Sequence, residues 1–147
     1  MAKFRYNMQN ILDLKEKMET QVKTEFANAQ IKLQEEKDKL VRIYQEIEEY
    51  QDIIRDMAQK NLDVLKMKQC NNAIKIKKIE ANNQKSAISR AEKNVDIIRG
   101  KLNRVMIERK THEILKERAF EEFKKELEEQ EHKEVDEVIS FQYNKLD

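Results

Sequence analysis

The sequence contains no proline, no tryptophan and only one glycine, Gly100, in 147 residues. A compact globular domain of this length needs many more turn residues, because glycine and proline supply the backbone angles of tight turns. Charged residues make up 40% of the chain, whereas an average soluble domain has about 25%. The lack of turn residues and the excess of charge exclude an ordinary compact enzyme and favour long helices.

The sequence also has no excess of charge of one sign. Thirty basic residues are balanced by 29 acidic ones, so the formal net charge is only +1, and 39% of the chain is hydrophobic. Disordered chains combine high net charge with few apolar residues. Since this chain has neither property, we expect it to be folded along its length.

Cysteine is almost absent, and so are long hydrophobic runs. Cys70 is the single cysteine, so it cannot form an intrachain disulfide, and no Cys/His spacing suits zinc. No apolar run approaches the roughly 20 residues of a membrane span, and the N-terminus has no signal-peptide core. We therefore expect a cytoplasmic protein that does not cross a membrane.

Apolar residues in the first half recur at steps of three and four, which predicts a coiled coil. Over about seven heptads, 14 of 16 positions are apolar, and the other two are Lys15 and Glu36. Two successive steps of four around Val22 predict a stutter that relaxes the supercoil. The apolar positions are Phe4, Met8, Ile11, Met18, Val22, Phe26, Ala29, Leu33, Leu40, Ile43, Ile47, Tyr50, Ile54 and Met57.

The second half repeats the pattern, with Lys77 and Gln84 as its polar interruptions. Beyond His112 the apolar residues shift to steps of four, so we do not extend the regular coil to the C-terminus. A second long helix is predicted nonetheless. Its apolar positions are Ile74, Ala81, Ile88, Ala91, Val95, Ile98, Leu102 and Val105.

The charge distribution predicts that the two helices form a hairpin. Residues 66–110 hold 13 basic and 4 acidic side chains, whereas residues 35–63 hold 9 acidic and 5 basic. These blocks face each other only if the chain folds back, while a parallel homodimer would oppose like charges. We therefore predict an all-α, long two-helix antiparallel coiled coil.

The predicted boundaries place the whole chain, 1–147, in a single coiled-coil rod. The first helix covers about 3–59, a turn lies within 60–72, the second helix covers 73–140, and a tail covers 141–147. The turn is placed there because Asn61, Asp63, Asn71 and Asn72 are the best turn formers available. Because the second helix is the longer, its end is expected to overhang.

Catalytic and metal-binding chemistry is not predicted. Two packed helices form no pocket that excludes water, and the chain has no glycine-rich phosphate loop. His112 follows Glu108 by four residues and His132 follows Glu128 by four, but neither pair has a second pair near it in sequence. Both pairs are better interpreted as solvated helix surface. We expect no enzymatic activity, no cofactor, no metal and no small-molecule substrate.

Two surfaces allow more than one interpretation. Val41 and Tyr44 flank the apolar positions Leu40 and Ile43, and they either widen the core or form an exposed docking face in mid-helix. At the free end of the hairpin, aromatic residues near both termini either close the seam or insert into a partner. These end residues include Phe4, Tyr6, Phe120 and Phe123.

Nucleic-acid binding by the basic stretch is not favoured, because the stretch lacks aromatic residues for base stacking and the acidic helix would neutralise much of it. A general holdase chaperone, which grips clients through exposed apolar patches, remains an alternative. The lysines available to phosphates include Lys75, Lys77 and Lys78.

The two ends of the chain resemble one protein family. Residues 4–16 read Phe-Arg-Tyr-Asn-Met-Gln-Asn-Ile-Leu-Asp-Leu-Lys-Glu, which is similar to the start of the flagellar export protein FliJ family, with Met8 in place of the usual leucine. Residues 108–117 and 131–137 resemble the C-terminal pattern of that family. The resemblance covers the chain in length and architecture.

The resemblance implies a non-enzymatic, cytoplasmic component of the flagellar type III export apparatus, needed for motility. Such a coiled coil is similar to the central stalk of rotary ATPases: its free ends enter the ring of the export ATPase, and its rod reaches the membrane export gate. It would also handle export chaperones at the inner face of the cell membrane. The end motifs assign ring contact to Phe4, Tyr6, Met8, Ile11, Phe120 and Phe123. Val41 and Tyr44 are assigned to contact with the export gate only because they can form an exposed face.

Overall fold

The computed structural model describes residues 2–61 and 63–146 and shows, within them, two α-helices and no strand. Helix α1 spans Gln9–Lys60 and helix α2 spans Val64–Leu146. The two helices pack against each other. Glu25 on α1 contacts Lys101 on α2, whereas Glu46, later in α1, contacts Lys77, which lies earlier in α2. The helices therefore run antiparallel. The predicted all-α antiparallel helical hairpin is confirmed.

The connection between the helices is shorter than the predicted turn, since only residues 61–63 separate α1 from α2. Asp63 explains this difference because it caps α2. Its Oδ1 accepts a hydrogen bond from the Lys66 N–H at 3.3 Å, and its carbonyl oxygen accepts one from the Met67 N–H at 3.0 Å. Residues 64–72 are therefore helical. Leu62, which also falls in the predicted turn, lies outside the described residues.

The helices also differ from the predicted boundaries at the free end. α1 begins at Gln9, whose N–H donates to the Tyr6 carbonyl oxygen at 3.1 Å, rather than near residue 3. The irregular backbone before it lets the Phe4 ring pack on α2. α2 continues to Leu146, through most of the predicted tail. Asp147 lies outside the described residues.

The chain forms two compact units, each built from segments of both helices. The hairpin unit is Val22–Leu102, and the end unit combines Met1–Gln21 with Asn103–Asp147. The hairpin unit buries small and medium side chains along its seam. The most buried apolar ones are Val22, Ala29, Ile47, Ile74, Ala81 and Val95.

The seam of α1 is more regular than predicted. In the end unit Leu12 and Glu19 are only 3% and 6% exposed, whereas Ile11 and Met8 are 39% and 42% exposed. From Leu12 onward every position of an uninterrupted three-four spacing is therefore buried or half-buried, and Met18, Glu25 and Glu46 beside these positions are half-buried too. The predicted stutter is wrong, because the charged Glu19 takes the seam position that the apolar pattern gave to Met18.

A polar layer crosses the seam of the hairpin unit. The amide nitrogen of Gln84 donates hydrogen bonds to the carboxylate of Glu36 and, at 2.8 Å, to its backbone carbonyl. Lys32 and Lys39 reach the same carboxylate at 3.0 and 3.4 Å. A shift of one helix by a heptad would place Lys77 or Ala91 opposite Glu36, so both hydrogen bonds from Gln84 to Glu36 would be lost. The layer therefore fixes the register of the two helices.

The regular seam predicts opposite outcomes for two adjacent residues. Leu12→Ala should lower the free energy of unfolding by about 2–3 kcal/mol, because it removes a buried side chain and leaves a cavity. Ile11→Ala should cost less than about 1 kcal/mol, since Ile11 is partly exposed and alanine is the better helix former. Urea denaturation followed by circular dichroism measures both, and equal losses would favour the seam with the stutter.

The Glu36 layer predicts a specific acid sensitivity. Hydrogen bonds from Lys32 and then Gln84 lower the pKa of Glu36 from 4.5 to about 2. Its stabilising effect is therefore complete above pH 4.5 and is lost as the pH falls toward 2. Glu36→Gln should flatten the pH dependence of the melting temperature in this window. Glu35→Gln, an exposed control, should keep the dependence of the unaltered protein, and matching curves for all three proteins would contradict this account.

Candidate partner-binding surfaces

Three aromatic rings meet in the end unit. The Phe4 ring packs edge-on against Phe120, with centroids 5.1 Å apart and planes at 68°, and it lies 5.6 Å from Phe123 at 51°. Such tilted arrangements are favourable because ring edges and faces carry opposite partial charge. Phe4 and Phe123 are half-buried, but Phe120 remains 38% exposed. Three of the six predicted ring contacts thus form one cluster that anchors the N-terminal segment to α2.

Shallow grooves flank this aromatic cluster on both sides. One is lined by Tyr6, Met8 and Phe123, with charged side chains at its rim. The Tyr6 hydroxyl is buried and has no hydrogen-bond partner within residues 2–61 and 63–146. The other groove has an apolar floor that includes Leu12, and its charged lining consists of Lys116 and three carboxylates. These carboxylates are Glu16, Glu113 and Glu117.

Ion pairs hold α1 and α2 together in the end unit. Arg109 donates to the buried Glu19 across the seam and, at 3.0 Å, to both oxygens of Glu113 on its own helix. Its pKa is raised, first by Glu19 and then by Glu113. Lys15 lies 2.8 Å from Glu108 and lowers the pKa of that carboxyl. Sequence analysis found Lys15 but missed Glu19 and Arg109, which an uninterrupted three-four spacing would have placed in the seam.

The hairpin unit presents the predicted mid-helix face to solvent. Val41 is 53% exposed and Tyr44 is 44% exposed, whereas Leu40 and Ile43 beside them are half-buried. The Nζ atom of Lys85 lies 5.9 Å from the centroid of the Tyr44 ring. Of the two interpretations left open by the sequence, the exposed face is the one found here. Its contact with a gate stays a prediction.

The last part of α2 has an apolar face that sequence analysis did not single out. Every residue from 128 to 145 is exposed, and Val135, Val138 and Ile139 are 54%, 56% and 58% exposed. The sequence feature that indicates this face is the spacing of apolar residues by four that starts at Leu115. Each such step rotates the stripe by about 40° around the helix, so the stripe leaves the seam before the chain ends.

The Glu–His pairs form no metal site in the described part of the chain. Glu108 engages Lys15 instead, and residues 2–61 and 63–146 contain no group of three potential metal ligands. No described helix has a stretch apolar enough, over a sufficient length, to cross a membrane.

The chain also matches a known protein family. The model of the family described as flagellar FliJ protein matches residues 4–146. The chain belongs to the FliJ family. It is therefore a component of the flagellar export apparatus. Neither the curated proteins nor the solved structures contain a significant match to it.

Proposed function

We propose that this FliJ-family chain is a stalk-like adaptor without catalytic activity. Its end unit binds the ring of the flagellar export ATPase, its mid-helix face contacts the membrane export gate, and it escorts export chaperones. One observation carries this proposal: in the end unit, exposed apolar side chains lie beside ion pairs that join the two helices. Met8, Ile11 and Phe120 are 42%, 39% and 38% exposed, while two ion pairs, one of them to the buried Glu19, join the helices beneath them.

The end unit suits insertion into a partner because its apolar groups lie on a rigid support. Phe4 packs against both Phe120 and Phe123. This contact restricts the Phe120 ring before a partner arrives, so binding costs less side-chain entropy. The two flanking grooves offer shallow, partly apolar surface on both sides. Partly exposed aromatic side chains on rigid elements are typical of protein interfaces.

The mid-helix face supplies a second contact from a different part of the chain. Val41 and Tyr44 lie one turn apart on α1, so they form one small patch, and the Lys85 ammonium group lies beside the Tyr44 ring. An aromatic side chain next to a cation favours a partner that offers apolar surface and a carboxylate. We assign this contact to the cytoplasmic part of the export gate, at the inner face of the cell membrane.

The proposal leaves ATP hydrolysis to the partner ATPase. The grooves of the end unit are shallow and lie open along the helices, whereas catalysis requires converging groups in a site that excludes water. The role of the chain is then to couple partners by binding them. We also expect the chain to escort export chaperones, since an adaptor between the ATPase and the gate lies on the route of the exported subunits.

Two pairs of exposed residues test the two contacts and serve as controls for each other. Met8→Ser with Ile11→Ser should abolish stimulation of the purified export ATPase but leave binding to the gate's cytoplasmic domain intact. Val41→Asp with Tyr44→Ala should weaken gate binding by about tenfold or more but leave stimulation intact. Hydrolysis rates and isothermal titration calorimetry give the two readouts.

Loss of both activities in both variants would contradict separate contacts. An unaltered chain that leaves the ATPase unchanged, yet suppresses aggregation of unrelated unfolded proteins, would overturn the adaptor and favour the holdase.

A further inference from the structure

The outward side of α2 in the end unit carries a second stripe at coiled-coil spacing. Its positions alternate by three and four residues, as a seam does, but they lie on the side of α2 that faces away from the seam with α1. All of them are exposed. The stripe consists of Arg104, Ile107, Thr111, Ile114, Arg118, Glu121, Lys125, Glu128, His132, Val135, Ile139 and Gln142.

Large apolar side chains occupy both ends of this outward stripe. Ile107 and Ile114 are 64% and 50% exposed, and Val135 and Ile139 are 54% and 58% exposed. Side chains of this size at a regular seam spacing gain free energy when a partner buries them. Charged residues of both signs lie between the two ends.

The stripe is complementary to itself when two copies run antiparallel. In one register Ile107 faces Ile139 of a second copy, and Arg118 faces its Glu128. In the same register Glu121 faces Lys125. Two-fold symmetry repeats each pair, so four opposite-charge pairs lie at the centre. Ile114 then faces His132, Thr111 faces Val135, and an Ile107–Ile139 pair lies toward each end.

Other arrangements of two copies are less favourable. Parallel packing places Arg118 opposite Arg118 and Glu128 opposite Glu128, and like charges across a seam oppose association. A shift of one heptad in one direction places Ile114 opposite Lys125. A shift in the other direction keeps Ile114 opposite Ile139 and Lys125 opposite Glu128, but it places Arg118 opposite Val135. It therefore has two opposite-charge pairs instead of four.

We propose that two copies of this chain associate through the outward stripe of α2, antiparallel and with two-fold symmetry. The contact is isologous, so it closes after two copies and does not propagate into filaments. It extends beyond the adaptor function, because it uses neither the aromatic cluster nor the mid-helix face. The occupant is assigned by the charges at the centre of the stripe, where Arg118 faces Glu128 and Glu121 faces Lys125 of a second copy.

The charge pairs make the association testable by exchange. In sedimentation velocity on the full chain, the mass should rise with concentration from 17.7 kDa to twice that value. Arg118→Glu and Glu128→Arg should each weaken association by about tenfold, since each reverses two symmetry-related pairs. The double variant should regain the affinity of the unaltered chain, because it restores opposite charges in every pair.

Glu129→Arg is the matched control, because it makes the same charge change one residue away from the stripe and should leave association unchanged. Circular dichroism checks that every variant keeps its helices. A chain that stays monomeric at every measured concentration would overturn the proposal, and so would a double variant no better than the single ones. Equal weakening by Glu129→Arg and Glu128→Arg would also overturn it, since the effect would then reflect net charge.

Discussion

Everything else in this structure depends on polar side chains that are matched across the seam between two helices. The described residues bury only eight apolar side chains, and none is larger than leucine or isoleucine. Such a narrow core specifies the alignment of two long helices weakly, because apolar layers repeat every heptad. Glu36 with Gln84 in the hairpin unit, and Glu19 with Arg109 in the end unit, are not repeated. A shifted register would break the Glu36–Gln84 and Glu19–Arg109 pairings.

A fixed register also determines which residues remain for partners. In the end unit Glu19 and Arg109 occupy the seam, so Met8 and Ile11 lie outside it and stay exposed. The same alignment brings Phe4 onto Phe120 and Phe123. In the hairpin unit it leaves Val41 and Tyr44 on the solvent side. The binding surfaces proposed for this chain thus consist of apolar residues that the polar layers exclude from the core.

The sequence predicted the two helices, their antiparallel packing and the seam residues Lys15, Glu36, Lys77 and Gln84, because spacing and charge are visible along the chain. It did not predict the seam position of Glu19, because the apolar pattern gives that position to Met18 beside it in place of the charged residue that the three-four spacing requires. The connection was placed too broadly because side-chain capping by one aspartate outweighs the turn preference of the asparagines after it. The partner contacts of the end unit depend on another protein's surface, which this sequence does not contain.

Pulsed electron spin resonance between labels at positions 37 and 85 tests the central claim most directly. Both positions flank the Glu36–Gln84 layer, and Cys70→Ser provides the background. We expect one narrow, short distance that persists when excess unlabelled protein is added. With Glu36→Leu and Gln84→Leu together, the distribution should broaden toward registers one heptad, about 10 Å, apart. An equally narrow distribution without the polar layer would contradict the claim, as would a signal that disappears on dilution with unlabelled chains.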